Sequence, residues 1–241
     1  MKHSSARHNQ RVDAILFDKD GTLFRITSQW EMWFSQLIGK LARQADRSIS
    51  DALASELRYD PATDRFAPDS PVAMASSEDM AALLSRYLPG TDVCLLQRQL
   101  DTAADDMPLT PAAPLIPLLS TLRQTGLKIG LSTNDSEAAA RAHLDRFNLL
   151  GMFDFVAGYD SGFGAKPGSG MQRAFAEQMA LAPDRIAMVG DSVYDLTAGR
   201  AIGMVTIGVL SGPSTEDILS PMADVVLPDI SHLPHWLSDH P

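Results

Sequence analysis

The sequence has 241 residues, 45% of them hydrophobic, which is enough for one large domain or for a core with a smaller insertion. Its formal net charge of −10 argues against nucleic-acid binding, because a phosphate backbone requires a basic surface. Cys94 is the only cysteine, which excludes an internal disulfide and a thiolate metal cluster.

Residues 1–11 are polar and basic and lack the apolar segment of a signal peptide. No apolar run approaches the length that a membrane-spanning helix needs. We therefore expect a cytoplasmic protein with no membrane partner, present as a monomer or a homodimer.

The first predicted element is a buried strand, Ala14–Phe17, followed at once by Asp18-Lys19-Asp20-Gly21. An apolar run of this kind is typical of a parallel sheet covered on both faces. Side chains alternate along an extended chain, so Asp18 and Asp20 should project to one side and Lys19, which we assign no role, to the other. Two carboxylates so close repel each other unless a cation lies between them or one holds a proton. The alternative interpretation is a solvated Asp-Gly turn.

Residues 25–109 are predicted to form a helical insertion without strands. Ser28 and Glu31 suggest a capping box for a first helix that carries an apolar stripe from Trp30 to Leu41. Further helices are expected at 49–57, at 80–88 before Pro89-Gly90, and at 93–105, whereas 59–71 has the composition of a loop. Three arginines of the insertion are candidates to bind a substrate carboxylate, although exposed arginines are usually only solvated: Arg25, Arg58 and Arg65.

From residue 110 onward, apolar strands alternate with helices, the pattern of a doubly wound parallel sheet of the α/β class. We expect a Rossmann-like core formed by residues 1–24 and 110–241. Its later strands are predicted at 127–132, 153–157, 186–189, 204–209 and 225–227.

Polar residues follow several of these strands, and parallel strands end at the same edge of a sheet, where ligands bind. Asp18 is placed to attack phosphorus as a carboxylate nucleophile. Asp20 is placed to protonate the leaving oxygen and later to activate water. Asp18 and Asp191, with a backbone carbonyl, suit Mg²⁺, and Asp20 belongs to the same predicted metal-binding group. Asp195 lies one helical turn after Asp191 and could orient Lys166 or a metal-bound water, or be only a first-turn helix acid.

The phosphoryl oxygens would be held by backbone N–H groups at a glycine turn, by hydroxyls and by an ammonium group. The residues predicted for this task are Gly21, Thr22, Thr133, Asn134 and Lys166. Lysines are scarce in this acidic sequence, so one located near the acidic cluster is informative.

Four short stretches together resemble a known family. Residues 17–23 (FDKDGTL) resemble motif I of the haloacid dehalogenase superfamily, and residues 131–134 (LSTN) are similar to motif II. Lys166-Pro167 and residues 190–195 (GDSVYD) are similar to motifs III and IV. The helical insertion between motifs I and II resembles the C1 cap of subfamily I, whose members include phosphoglycolate phosphatases.

This resemblance implies a Mg²⁺-dependent phosphatase that acts on a small phosphorylated metabolite through a phospho-aspartate, with phosphoglycolate as the first substrate to consider. The dehalogenases of the superfamily lack an acid at the second position after the nucleophile, so Asp20 favours phosphate chemistry. Residues 24–27 (FRIT) depart from the acidic or amide-bearing sequence of many subfamily I members, which leaves the substrate open. The alternatives are a sugar phosphomutase and a catalytically silent regulatory or binding protein on the same fold.

Overall fold

The computed structural model describes residues 11–44, 51–60, 62–63, 65–88 and 90–239. The strands in chain order are β1 (Ala14–Phe17), β2 (Tyr59–Asp60), β3 (Arg65–Phe66), β4 (Lys128–Ser132), β5 (Phe155–Ala157), β6 (Ile186–Gly190), β7 (Val205–Val209) and β8 (Val225–Leu227). Six of them form one sheet in the order β5-β4-β1-β6-β7-β8, and every neighbouring pair is parallel. The predicted α/β class is therefore confirmed, with β1 in the interior of the sheet.

The helices in chain order are α1 (Ser28–Gln44), α2 (Asp51–Glu56), α3 (Ser77–Ser85), α4 (Val93–Ala104), α5 (Leu115–Gln124), α6 (Glu137–Arg146), α7 (Gly170–Met179), α8 (Val193–Arg200), α9 (Glu216–Leu219) and α10 (Leu233–Ser238). Alternation along β1 sends its side chains to two separate cores. Ile15 and Phe17 pack with apolar residues of α5 and α6, whereas Leu16 packs with Met171 and Phe175 of α7. Helices thus cover both faces of the sheet, as a doubly wound fold requires.

Residues 25–109, called the cap segment below, contain α1 to α4 and have an apolar core of their own, which includes Trp30, Phe34, Leu84 and Leu96. The prediction of a segment without strands is wrong, because β2 and β3 pair as an antiparallel hairpin. Tyr59 and Phe66 stand opposite each other there with their rings 5.1 Å apart, which gives this short hairpin a cross-strand aromatic contact.

The predicted capping box at the start of α1 is also wrong. Ser28 is already the first helical residue, and the Oγ1 atom of Thr27 accepts a hydrogen bond of 3.4 Å from the backbone N–H of Trp30. Glu31 forms an ion pair of 2.9 Å with Arg65 of β3 instead of turning back to a cap. The predicted start of the second helix at Ile49 and the stop at Pro89 lie outside the described residues.

Several hydrogen bonds connect the cap segment to the core domain, among them bonds of Asn134, Tyr159 and His143. The Nδ2 atom of Asn134 donates to the carbonyl of Met74 at 2.7 Å, and Gln97 of α4 donates to the hydroxyl of Tyr159 at 2.9 Å. His143 of α6 contacts the carbonyl of Ala104 at the end of α4, also at 2.9 Å. These contacts hold the cap segment over the edge of the sheet where β1 and β4 end.

Among the described residues, none of the helices has the length and apolar character needed to cross a lipid bilayer.

Candidate active site

Asp18 is the first residue after β1, and its side chain is almost completely buried at the carboxyl edge of the sheet. The Nζ atom of Lys166 donates to Oδ1 of Asp18 at 2.5 Å, to Oδ1 of Asp195 at 2.6 Å and to the carbonyl of Ser132 at 3.0 Å. The loop of Lys166, whose peptide bond to Pro167 is cis, therefore meets the ends of β1 and β4 and the start of α8. The structure brings Asp18, Lys166 and Asp195 together, as the strand-end positions predict.

Asp191 follows β6 and completes a buried acidic cluster with Asp18 and Asp195. One carboxylate oxygen of each residue lies within 4.8 Å of the others. Burial and the repulsion of Asp195 raise the pKa of Asp18 to about 7, although Lys166 acts in the opposite direction. Burial and the charges of Asp18 and Asp195 raise the pKa of Asp191 well above its ordinary value. A divalent cation bound by oxygen ligands would relieve this repulsion, so the donor set fits such an ion.

Both carboxylate oxygens of Asp195 accept hydrogen bonds, one oxygen from Ser192 at the start of α8 and the other from Lys166. As the third residue of α8 it forms a capping box with Ser192: its Oδ2 accepts from the Ser192 backbone N–H at 3.2 Å and from the Ser192 hydroxyl at 2.5 Å. Its Oδ1 holds Lys166. The interpretation as a helix acid and the interpretation as an orienting group for Lys166 are therefore compatible.

The prediction that the Lys19 side chain points away from Asp20 is wrong. It is fully buried, and its Nζ lies 2.7 Å from Oδ2 of Asp20 and 2.8 Å from Oδ2 of Asp135. Alternation applies only while the chain is extended, and the backbone turns immediately after β1, where Gly21 has φ +85° and the N–H groups of both Leu23 and Phe24 donate to the Lys19 carbonyl. The turn places the carboxylate of Asp20 within reach of the flexible lysine.

Three groups surround the buried Lys19 ammonium. Besides Asp20 and Asp135, the Nδ1 atom of His143 lies 3.1 Å from Nζ. Burial and the positive charge of Lys19 lower the pKa of His143 to about 4, so neutral His143 accepts from Lys19 and donates its Nε2–H to Ala104. Burial raises the pKa of Asp20 above its ordinary value, and Lys19 opposes that rise. The sequence contained one signal for this network, a lysine two residues after an apolar strand, but that signal does not identify the partners of the lysine.

Some of the predicted phosphate-binding residues line the cavity, and others lie against Asp191 outside it. Thr133 and Asn134 line the cavity above Asp18, but the side chain of Asn134 is used elsewhere: its Oδ1 accepts from the Lys166 N–H at 2.8 Å and its Nδ2 donates to the Lys166 carbonyl at 2.9 Å. The amide of Asn134 thus fixes the backbone on both sides of Lys166. Only its backbone N–H remains a candidate for phosphoryl binding.

Gly21 and Thr22 lie against Asp191, and neither residue lines the cavity. The hydroxyl of Thr22 donates to Oδ1 of Asp191 at 3.3 Å, and the Gly21 carbonyl accepts from Ser211 at 2.7 Å. A Cβ at Gly21 would overlap the Asp191 carboxylate, which explains the glycine. Thr22 therefore binds the carboxylate of Asp191, and Gly21 leaves the space that this carboxylate occupies.

A cavity lies between these core residues and the cap segment. Its cap side is mainly apolar, and Lys166 is the only cationic side chain among the described residues that line it. The three arginines considered for a substrate carboxylate bind elsewhere: Arg25 to Asp229 at 2.7 Å, Arg65 to Glu31 and Arg58 to Asp69.

Comparisons with known proteins agree with this arrangement. A family model for haloacid dehalogenase-like hydrolases matches residues 12–203. The phosphoglycolate phosphatase of Rhodospirillum rubrum is 32% identical over 120 residues, which is 50% of this chain and 50% of that protein. The phosphoglycolate phosphatase of Agrobacterium fabrum is 26% identical over 221 residues, 90% of this chain and 89% of that protein.

The same fold occurs in the crystal structure of a HAD phosphatase from Thermococcus onnurineus, with a TM-score of 0.64 and 24% identity over 95% of this chain and 99% of that one. Several of the curated relatives resemble the chain over only about half of their own length, as the Rhodospirillum rubrum enzyme does.

Proposed function

This chain belongs to the haloacid dehalogenase-like hydrolases, and from that premise we propose that it is a phosphomonoester phosphatase acting through a phosphorylated Asp18. The observation that supports this most strongly is the buried Asp18 carboxylate, held at 2.5 Å by Lys166 at the floor of a cavity covered by the cap segment. A covered site excludes water from the first transfer and strengthens the electrostatic contacts inside it.

In the first step a carboxylate oxygen of Asp18 attacks phosphorus, and the bond from phosphorus to the ester oxygen breaks. Asp20 gives its proton to that departing oxygen, so an alcohol leaves and an aspartyl phosphate remains. Burial raises the pKa of Asp20, which favours the protonated form that this step needs. Lys166 and the backbone N–H of Asn134 stabilise the negative charge on the phosphoryl oxygens.

In the second step the Asp20 carboxylate takes a proton from a water molecule while the oxygen of that water attacks phosphorus. The acyl–phosphate bond breaks, inorganic phosphate leaves, and the Asp18 carboxylate is restored. Asp20 is then protonated again for the next turnover. The ion pair with Lys19 at 2.7 Å supports the carboxylate form required at the start of this step.

We assign a Mg²⁺ ion to the carboxylates of Asp18 and Asp191 together with a backbone carbonyl. Asp195 is the third acid of the cluster, but its two oxygens already bind Lys166 and Ser192. The carboxylate of Asp20 faces Lys19, so a contribution of Asp20 to metal binding would have to come from its backbone. When bound, the ion would supply positive charge that offsets the repulsion between an anionic nucleophile and an anionic substrate.

The substrate class is a small phosphorylated metabolite. Phosphoglycolate belongs in any first screen because several relatives are phosphoglycolate phosphatases. The screen should also contain hexose phosphates, so that phosphoryl transfer to a sugar can be distinguished from release to water.

The test is Mg²⁺-dependent release of p-nitrophenol from p-nitrophenyl phosphate by wild type and by Asp18→Asn. We expect the variant to lose activity, and wild type quenched during turnover to gain the mass of one phosphoryl group on the peptide that contains Asp18. Asp217→Asn, an exposed acid on α9, is the matched control and should retain activity. Wild type that releases no phosphate from any ester would overturn the proposal, and transfer to a sugar would indicate a mutase.

A further inference from the structure

The cap side of the cavity is built from apolar side chains of several different elements. Trp30, Trp33 and Phe34 come from α1, and further residues come from the segment before α3, from α3 itself and from α4: Val72, Met80 and Leu100. The rings of Trp30 and Phe34 stack with their centroids 5.6 Å apart, and the indole N–H of Trp30 contacts Sδ of Met107 at 2.9 Å. These residues form a mainly apolar wall opposite the phosphoryl site, and Ser76 and Ser77 also line this side of the cavity.

The described cap residues offer no positive charge to this cavity. Arg25 turns to the core, where it donates to the carbonyl of Ala112 at 2.9 Å and pairs with Asp229 at 2.7 Å. Arg65 pairs with Glu31, which is almost completely buried, at 2.9 Å. Each of these arginines has an anionic partner already, so a substrate carboxylate would have to compete with a formed ion pair.

On the core side of the cavity, the described lysines already have carboxylate partners. Lys166, the one cationic side chain among the described residues that line it, already pairs with Asp18 and Asp195. The buried Lys19 behind the lining pairs with Asp20 and Asp135. A second anionic group on the substrate would therefore face an apolar wall on one side and lysines that already have carboxylate partners on the other. An unpaired carboxylate in such a place is strongly unfavourable, whereas an apolar group gains from leaving water.

We propose that the leaving group of the natural substrate is uncharged and apolar, namely a small aliphatic or aromatic alcohol. This inference rests on the proposed phosphatase function and specifies its substrate class. The cavity has a volume of about 80 Å³, which favours a compact leaving group of a few carbon atoms over an extended one. The phosphoryl group binds at Asp18 and Lys166, and the carbon skeleton contacts the wall of Trp30, Phe34 and Leu100.

The sharpest comparison uses two esters of nearly equal shape. Isobutyl phosphate differs from 2-phosphoglycolate by an isopropyl group in place of the carboxylate, so the two substrates differ mainly in charge. We expect kcat/KM for isobutyl phosphate to exceed that for 2-phosphoglycolate by at least about tenfold. An equal or higher kcat/KM for 2-phosphoglycolate would overturn the inference.

A positive charge introduced into the apolar wall tests the inference, and the same charge on the exposed side of α1 is the matched control. Leu37 lines the cavity from α1 and is only partly buried, whereas Met32 is exposed on the same helix. Leu37→Arg should lower the isobutyl-to-glycolate ratio of kcat/KM by about tenfold, and Met32→Arg should leave it unchanged. Competitive inhibition by inorganic phosphate should be the same in both variants, which verifies that the phosphoryl site is intact. An unchanged ratio in Leu37→Arg with intact phosphate inhibition would contradict the inference.

Activity on p-nitrophenyl phosphate separates the two proposals. If that activity depends on Asp18 and isobutyl phosphate is not the better alkyl ester, the apolar leaving group is wrong and the phosphatase stands. If no ester is hydrolysed, the phosphatase proposal fails and this inference fails with it.

Discussion

The Nζ atom of Lys19 lies 2.7 Å from Oδ2 of Asp20, so the proposed general acid and base shares an ion pair with a fully buried lysine. Burial raises the pKa of Asp20 and favours its protonated form, whereas the positive charge of Lys19 opposes that rise. Asp20 must be protonated in the first step and ionised in the second. The opposing effects of burial and Lys19 on its pKa therefore favour a value at which both forms are accessible. Asp135, at 2.8 Å from the same ammonium, keeps Lys19 in position.

Replacing Lys19 by Met removes the charge and retains most of the side-chain volume. We expect the pKa of Asp20 to rise, which shifts the ascending limb of the kcat-pH profile to higher pH because less carboxylate is available for the second step. Lys19→Arg keeps the charge and should restore part of the original profile. A uniform loss of kcat at every pH, with no shift of the limb, would show that Lys19 has only a structural role.

Asp20→Asn tests proton donation directly. Alkoxides are poor leaving groups and need the proton, whereas p-nitrophenolate leaves with little help. We expect the rate of Asp18 phosphorylation to fall about 10²- to 10⁴-fold with an alkyl phosphate and much less with p-nitrophenyl phosphate. Single-turnover measurement of phosphoenzyme formation isolates this step from the later attack of water. An equal loss with both esters would remove the general-acid assignment.

Lys166→Met removes the ammonium that contacts both Asp18 and Asp195. The charge on the phosphoryl oxygens then loses its cationic partner, so kcat/KM should fall by about 10²- to 10³-fold and inhibition by inorganic phosphate should weaken. Lys128→Met, at the exposed start of β4, is the control and should have wild-type kinetics. Normal phosphate inhibition in Lys166→Met would mean that the ammonium only stabilises the acidic cluster.

Much of this architecture could be predicted from short-range patterns. The interior strands are apolar runs that end in polar residues, and parallel strands share one edge, which was sufficient to bring Asp18, Asp191, Asp195 and Lys166 together. The Lys19 contact could not be predicted, because it depends on a turn at Gly21 that ends the alternation of β1.

Other features depend on contacts between distant parts of the chain. Glu31 is drawn to Arg65 across the cap segment instead of capping its own helix. The Asn134 amide is used by the Lys166 backbone, more than thirty residues away in the chain. A local pattern contains no information on such partners, so the sequence led to a wrong partner for Glu31 and gave no indication of the contact between the Asn134 side chain and Lys166.

The assignment of the metal to Asp18 and Asp191 predicts that substitutions of Asp191 and Asp195 change the Mg²⁺ requirement differently. Chelation with EDTA should abolish phosphate release, and added Mg²⁺ should restore it. Asp191→Asn should raise the Mg²⁺ concentration needed for half-maximal activity by about tenfold or more. Asp195→Asn should lower kcat through Lys166 and leave that concentration nearly unchanged, since the Asp195 oxygens bind Lys166 and Ser192. Equal shifts in both variants would place Asp195 among the metal ligands.

The buried position of His143 beside Lys19 should make the folding stability depend on pH. Burial and the neighbouring Lys19 lower its pKa from 6.5 to about 4, so in the folded protein the ring stays neutral down to that pH. In the unfolded chain His143 takes up a proton below its ordinary pKa, which favours unfolding. The contribution of neutral His143 to the free energy of unfolding is fully present above pH 6.5 and is lost as the pH falls toward 4. The total loss is at most about 3 kcal/mol.

Urea unfolding between pH 7.5 and pH 4.5 measures this effect when wild type is compared with His143→Gln. The variant should lose less of its free energy of unfolding over this interval than wild type does, because glutamine does not titrate. Buried acids such as Asp18 and Asp191 change stability in the opposite direction over the same interval, but they are present in both proteins and cancel in the difference. His235→Gln, at an exposed position on α10, should follow the wild-type curve. Parallel curves for wild type and His143→Gln would mean that the pKa of His143 is the same in the folded and the unfolded protein, which would contradict the effect of burial and of Lys19.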